Sequence, residues 1–456
     1  MSEEALVPKN VPQVETRHRR IRTALPNPDT LSVLEANRRY EPKSYQGDLP
    51  VVWDRAVGYQ IFDASGNCWI DLTSTIFVAN VGHGHPKVAA AIREVCDLPL
   101  LHTYSYAHKW RTALAQRLVE MMPKHLDKVL FLSTGSEASE AALKIAMNYG
   151  RVIRETKNVI VGFEGSFHGK TMGSQTLGGK PGGKEWIGDL HRRIHHLPYP
   201  YPWVLKKAGR TGEQFFHDSL NALAATGVAL DDVAAFFAEP YQGWCAVFLP
   251  NDYVQAMRKW ATEHQALVGF DEVQAGFGRT GKLFGYEHFG VEADILWCSK
   301  AITSSVPVSA VMANHTLLDM DESMTSTHGG GPLGMAAALA VLDVIEEEHL
   351  LEESVRKGEW VKKELDAWAA AKPDYVKEIF GAGMVWGILL RDPKSGELAI
   401  DLVDRVCQRA FEKGVLTIQT GCGSLKLGPP LTIPDEALKE ALDVLKESLD
   451  ECLAEG

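Results

Sequence analysis

The chain has 456 residues, 45% of them hydrophobic and 23% charged, and a net charge of −12 from 47 basic and 59 acidic side chains. That length exceeds what one simple core organises, so two domains are expected. The acidic balance argues against nucleic acid as the main partner. No apolar stretch reaches membrane-spanning length and no signal-peptide core opens the chain, so a cytoplasmic enzyme without membrane contact is expected. The seven dispersed cysteines, with no CxxC pair, fit reduced thiols, and no metal site is expected.

Residues 1 to about 30 read as irregular, because Pro26 and Pro28 block regular structure. The basic run Arg17-His18-Arg19-Arg20-Ile21-Arg22 reads as a solvated segment or one packed on a neighbouring subunit. Gly58 to Leu72 alternates around Asp63 and Ser65-Gly66-Asn67, the pattern of a hairpin in a small sheet. From Pro86 the period becomes helical, and short apolar strands then alternate with helices: Val129–Leu132, Val159–Gly162, Ala234–Phe237, Ala266–Phe270, Asp294–Ser299 and Ser309–Met312. That alternation predicts an α/β fold, a mostly parallel sheet with helices on both faces, whose ligands bind at the carboxyl ends of the strands. After about Glu346 a long helix leads into a second α/β unit that ends in a helix around Glu436–Leu453.

Two strand patterns each deliver one ionisable residue to the sheet end. Ala266–Phe270 is followed by Asp271, and Asp294–Ser299 by Lys300. A lysine placed this way can form a Schiff base, and a buried carboxylate nearby can hold a pyridinium proton. Either residue alone has a plainer explanation, a solvated loop lysine or a turn-forming aspartate. Ser133-Thr134-Gly135-Ser136-Glu137-Ala138, between a strand and a helix, offers backbone N–H groups and hydroxyls to an anion; a simple helix cap is the alternative.

The string Asp271-Glu272-Val273-Gln274-Ala275-Gly276-Phe277-Gly278-Arg279-Thr280-Gly281-Lys282-Leu283-Phe284, with Lys300 downstream, resembles the class III (omega) aminotransferases of the fold type I pyridoxal phosphate-dependent family. The resemblance runs from about Leu31 to the C-terminus. It implies a large domain with a mostly parallel seven-stranded sheet at residues 76–345. It also implies a smaller α/β domain built from the N- and C-terminal segments, residues 1–75 and 346–456. The implied cofactor is pyridoxal 5′-phosphate, held covalently by Lys300, which then acts as general base, with Asp271 on the ring nitrogen. By the same resemblance Gly135 and Ser136 cradle the phosphate, and Phe167 of Phe167-His168-Gly169 stacks on the ring, with His168 beside it. Val273 covers the other face, Gln274 reaches the phenolic oxygen, and Glu239 of Glu239-Pro240-Tyr241-Gln242-Gly243, matching a glutamate that can pair with a mobile arginine, belongs to the cofactor-binding set. Thr327 matches a threonine that reaches a phosphate across a dimer interface, implying a homodimer, with a tetramer as the larger alternative. The reaction implied is ping-pong transfer of an amino group from an ω-amino acid or amine to pyruvate or 2-oxoglutarate.

The substrate-reading positions depart from relatives. Lys426 and Lys170 stand where the 4-aminobutyrate branch carries arginines, and a lysine supplies a point charge in place of a bidentate fork. Trp244 replaces a small residue, and Ile76, Phe77, Tyr104 and Tyr106 lie where relatives line the cavity. Gly173–Gly179 and His196–Pro200 look closer to an amino acid epimerase branch. The alternative reaction is therefore racemisation, or phospho-lyase chemistry on the same lysine.

Overall fold

The computed structural model describes residues 4–47, 49–180, 182–421 and 423–455. The chain forms two compact units, residues 86–351 and residues 1–85 with 352–456. These divisions stand beside the sequence-based ones at 75/76 and 345/346. Among the described residues no helix is long and apolar enough to cross a membrane.

In the unit of residues 86–351 seven strands make one sheet: β1 (Lys128–Leu132), β2 (Val159–Phe163), β3 (Ile194–Leu197), β4 (Val233–Ala238), β5 (Leu267–Asp271), β6 (Ile295–Cys298) and β7 (Ser309–Ala313). Their spatial order is β1-β7-β6-β5-β4-β2-β3. Strand β7 runs antiparallel to both neighbours, β6 and β1, and every other pairing is parallel. Strands β2, β4, β5, β6 and β7 are buried along their whole length, which is why they read as unbroken apolar runs. Strand β3 is absent from the sequence reading. It is an edge strand of sequence Ile-His-His-Leu, and two central histidines leave no apolar run to detect.

Four helices matter for the site: α1 (Pro86–Asp97), α2 (Lys109–Met121), α3 (Gly135–Ile153) and α4 (Pro332–Glu347). Helix α3 lays Ala138, Ala142, Leu143, Ile145 and Ala146 into a core shared with Phe237, Trp297 and Val311. The small residues let the helix approach the sheet closely, and the large ones fill the space. Burying each large side chain contributes roughly 2 kcal/mol. Helix α4 packs against both α1 and α2.

In the other unit, the expected hairpin is Gln60–Phe62 paired with Cys68–Asp71, inside a six-stranded sheet. Residues 14–21 are more ordered than the nearby prolines suggest: Val14–Glu15 and Arg20–Ile21 pair, and Arg20 joins the same sheet opposite Cys68. The basic run is held within its own unit. Arg19 pairs with Glu440 at 2.7 Å, and Arg20 and Arg22 pair with Glu15 at 2.7 and 2.9 Å. A four-stranded antiparallel sheet carries Lys426 on the strand Ser424–Leu427.

Candidate active site

Five strands of the large sheet end at one cavity of about 170 Å³. The loop after β1 contributes Thr134, Gly135 and Ser136; the loop after β2 contributes Phe167, His168 and Gly169; Glu239 follows β4. Asp271 ends β5, with Val273 and Gln274 beyond it, and Ser299 and Lys300 follow β6. Parallel strands all present their carboxyl ends to the same edge, so residues far apart in sequence converge there.

The anion cradle is a capped helix start. The Thr134 hydroxyl accepts the Glu137 N–H at 3.2 Å, while the Glu137 carboxylate accepts the Thr134 and Ser133 amides at 3.0 and 2.7 Å. This capping box leaves the amides of Gly135 and Ser136 at the positive end of α3. Gly169 closes the cradle with φ at +134°, and a Cβ there would collide with the hydroxyls of Ser136 and Ser174. The Ser139 hydroxyl donates to the His168 carbonyl at 2.8 Å, and Glu140 takes the Thr171 hydroxyl and the Gly173 and Ser174 amides at 2.5, 2.8 and 3.1 Å. The second loop is thus tied to the first turn and a half of α3. The sequence reading passed over Gly169, Ser299 and Glu140 as site residues. Adjacency to His168 and Lys300 was the available signal for the first two, and nothing local marks Glu140.

Asp271 is 4% exposed and doubly held: Oδ2 meets His168 Nδ1 at 2.7 Å, and Oδ1 accepts the Val273 N–H at 3.0 Å. A carboxylate oxygen can only accept, so His168 carries its proton on Nδ1. Its Nε2 is buried without a hydrogen-bond partner among the described residues. His168 is therefore tied directly to the aspartate. Glu239, 7% exposed, accepts the Phe167 and Gly243 amides at 3.1 and 3.2 Å. Lys300 sits at φ +47°, in the left-handed region, at the start of a short 3-10 turn. Such a conformation costs roughly 1–2 kcal/mol outside glycine, and strain of this kind collects at functional sites. Burial lowers the Lys300 ammonium below the ordinary lysine value, opposed by the charges of Asp271 and Glu239.

The remaining expected residues lie elsewhere. Thr327 is exposed and does not line the cavity of its own chain. Lys170 and Tyr106 are exposed and Tyr106 is 79% so; neither lines the cavity. Trp244 lies in the hairpin Tyr241–Gln242/Val247–Phe248 that follows Glu239, its indole N–H donating to Gln242 Oε1 at 2.7 Å and to the Tyr201 hydroxyl at 3.0 Å. Phe77 and Lys426 belong to the other unit, where both are buried and the Lys426 ammonium lies 4.4 Å from the Phe77 ring centre. Phe77 ends a left-handed turn, Ser74–Phe77, with φ of 47, 52, 61 and 67°.

Residues 42–449 match the sequence profile of the class-III aminotransferases. The chain belongs to that family. This class-III aminotransferase is 32% identical to the leucine/methionine racemase of Thermococcus litoralis over 91% of the chain and 95% of that protein. It is also 32% identical to the acetylornithine aminotransferase of Thermosynechococcus vestitus over 89% and 94% of the two chains. The (S)-enantioselective omega-transaminase of Thermomicrobium roseum has the same fold, with a TM-score of 0.82 and 28% identity over 93% and 98% of the chains. Class-III aminotransferases depend on pyridoxal phosphate, and the aminotransferase's residues fit that group. A glycine-lined anion cradle, a buried anchored carboxylate and a lysine of lowered basicity share one cavity.

Proposed function

We propose that this aminotransferase takes an amino group from an ω-amino acid or amine and passes it to a 2-oxo acid, pyruvate or 2-oxoglutarate, in two half-reactions, and that it works in the cytoplasm as a homodimer. The observation that carries the reading is the convergence of Lys300 and Asp271 from neighbouring parallel strands, with Asp271 paired opposite Trp297.

Pyridoxal phosphate, when bound, supplies a conjugated ring that stabilises negative charge at the substrate Cα. The phosphate would be held by Gly135, Ser136 and the turn at Gly169, and the ring flanked by Phe167 and Val273, with Gln274 at its polar edge. Asp271 would keep a proton on the ring nitrogen, its carboxylate aimed by His168 and the Val273 amide. Lys300 would carry the group covalently and, once displaced by the substrate amine, would take the Cα proton and deliver it to the cofactor's aldehyde-derived carbon, the shift that separates amino transfer from racemisation. Enclosure favours its neutral amine, the form that can accept a proton.

Thr327 is read as serving the phosphate site of a second copy. It lies outside its own cavity, and its turn is joined to a loop whose Leu98, Leu100, Leu101, Tyr104 and Tyr106 are exposed. Five exposed apolar and aromatic side chains within one nine-residue stretch suit a subunit contact. Phe77, Tyr106, Lys170, Trp244 and Lys426 are read as the set that selects the substrate.

A second reading is favoured by one finding, the 32% identity to a racemase over nearly the full length of both chains. One experiment separates them. Single donors (4-aminobutyrate, β-alanine, ornithine, leucine, isoleucine, amino-alcohol phosphates) are added to the holoenzyme without keto acid while visible absorbance is followed. Lasting loss of the visible band with carbonyl product supports transamination and names the donor. A persistent band with a changing enantiomer ratio establishes racemisation instead.

A further inference from the structure

We propose that His102, His108 and Arg111 are positioning residues that hold the Thr327 turn in the geometry needed to reach a phosphate in a second copy of the chain. The inference rests on the reading of Thr327 given above.

The turn 326–331 directly precedes α4, closed by hydrogen bonds from the Gly329 amide to the Ser326 carbonyl and from the Gly331 amide to the His328 carbonyl. The segment 98–108 joins α1 to α2, and both helices pack on α4, so the topology brings this loop to the N-terminal end of α4. Three side chains then lace the loop and the turn together. His102 Nε2 meets the Thr327 carbonyl at 2.8 Å, and its ring lies edge-on to His328 with 5.1 Å between centres. A carbonyl only accepts, so His102 must carry its proton on Nε2.

His108 acts at two places. Its Nδ1 accepts the Arg111 amide at 3.3 Å, capping α2, and its Nε2 meets the Gly330 carbonyl at 2.7 Å. Both contacts are satisfied only by the neutral Nε2–H tautomer, and burial lowers its pKa, which keeps it neutral. Arg111 completes the clamp. Its guanidinium donates to the carbonyls of Tyr104, Ser105 and Tyr106 at 2.7, 3.0 and 2.7 Å, holding three consecutive residues of the loop, Tyr104 among them at φ +50°. Its stem lies so close to Gly330, itself at φ +71°, that a Cβ there would come within 2.6 Å of Arg111 Cδ. The planar fork spreads these bonds over two nitrogens, Nη1 to Tyr104 and Nη2 to Ser105 and Tyr106, a spacing that the single nitrogen of a lysine does not reproduce.

The Thr327 carbonyl, and with it the residue's backbone, is therefore fixed from 225 residues away in the chain. The consequence is that cofactor retention depends on residues remote from the cavity.

The test measures pyridoxal phosphate dissociation by equilibrium dialysis, together with the melting temperature of the apoprotein, for Thr327→Ala, His102→Ala, His102→Gln and Arg111→Lys. Thr327→Ala should weaken retention about tenfold, and His102→Ala and Arg111→Lys by about threefold to tenfold, the scale of one lost hydrogen bond. His102→Gln, which keeps a donor for the Thr327 carbonyl, should recover to within about twofold of the parent, a rescue that a purely structural role would not show. Weaker retention in Thr327→Ala with none in His102→Ala or Arg111→Lys would overturn the positioning role alone. Unchanged retention in Thr327→Ala would overturn the role of Thr327 and the positioning role with it. A fall in retention that merely follows apoprotein melting, with no rescue by His102→Gln, also overturns the proposal.

Discussion

The candidate cofactor cradle and the candidate substrate-reading residues are built on different principles. In the cradle, Asp271, Glu239 and the first turn of α3 are each held by two or more hydrogen bonds, several of them to backbone amides at the ends of buried strands. Four of the five candidates for reading substrate are held otherwise: Tyr106 and Lys170 are exposed, Trp244 leans on two other side chains, and Phe77 ends a strained left-handed turn, while Lys426 alone is buried on a strand. Backbone anchoring resists change, whereas side-chain anchoring can be rewritten by one or two substitutions. A family that keeps its chemistry and varies its substrate is expected to divide in this way.

The sharpest test of the cradle is Lys300→Ala, which should lower turnover by at least about 10⁴-fold by removing both covalent attachment and the base. Full activity in that variant would break the assignment. Next is Asp271→Asn, expected to lower turnover by about 10³-fold while the fold and the His168 contact survive. His168→Phe with Asp271 intact should lose about tenfold, because only the aim of the carboxylate is disturbed. Equal losses in the two variants would mean that His168 does more than orient.

The frame around the cradle has its own pH signature. Burial, with some help from Lys184, depresses the His196 pKa to about 4 from the usual 6.5. The unfolded chain therefore binds the extra proton between pH 6.5 and 4, so this contribution is fully present above 6.5 and is lost as pH falls through that window. The loss should reach about 3 kcal/mol near pH 4. His196→Gln keeps a donor for the Leu177 carbonyl and should flatten the melting temperature across that range; an unchanged slope would remove His196 as the cause.

The smallest effect probes the other side of the comparison. Trp244→Gly should leave pyridoxal phosphate affinity within about twofold, yet change KM among donors by about threefold to tenfold. A uniform fall in kcat across donors would place Trp244 in the cradle, not the selective wall.

Much of the cradle was legible because its signals are local. Asp271 and Lys300 each end an apolar run, and the Thr134–Glu137 capping box is a four-residue pattern. His168 was less so: its value comes from an aspartate 103 residues away, and a histidine's partner has no sequence signature. The edge strand β3 and the ion-paired N-terminal strands were missed for a related reason. Short strands take their stability from neighbours, not from their own composition.

By itself, then, the sequence determined the fold class and, through its resemblance to the class III aminotransferases, the cofactor, because parallel strands leave continuous apolar runs and Asp271 and Lys300 follow two of them directly. Only the tertiary structure decided that His168 holds Asp271, that Glu140 ties the second loop to α3, and that the Thr327 turn is clamped by a loop some 225 residues earlier in the chain. These are contacts between distant segments, set by helix and strand packing, and no local pattern of residues encodes them.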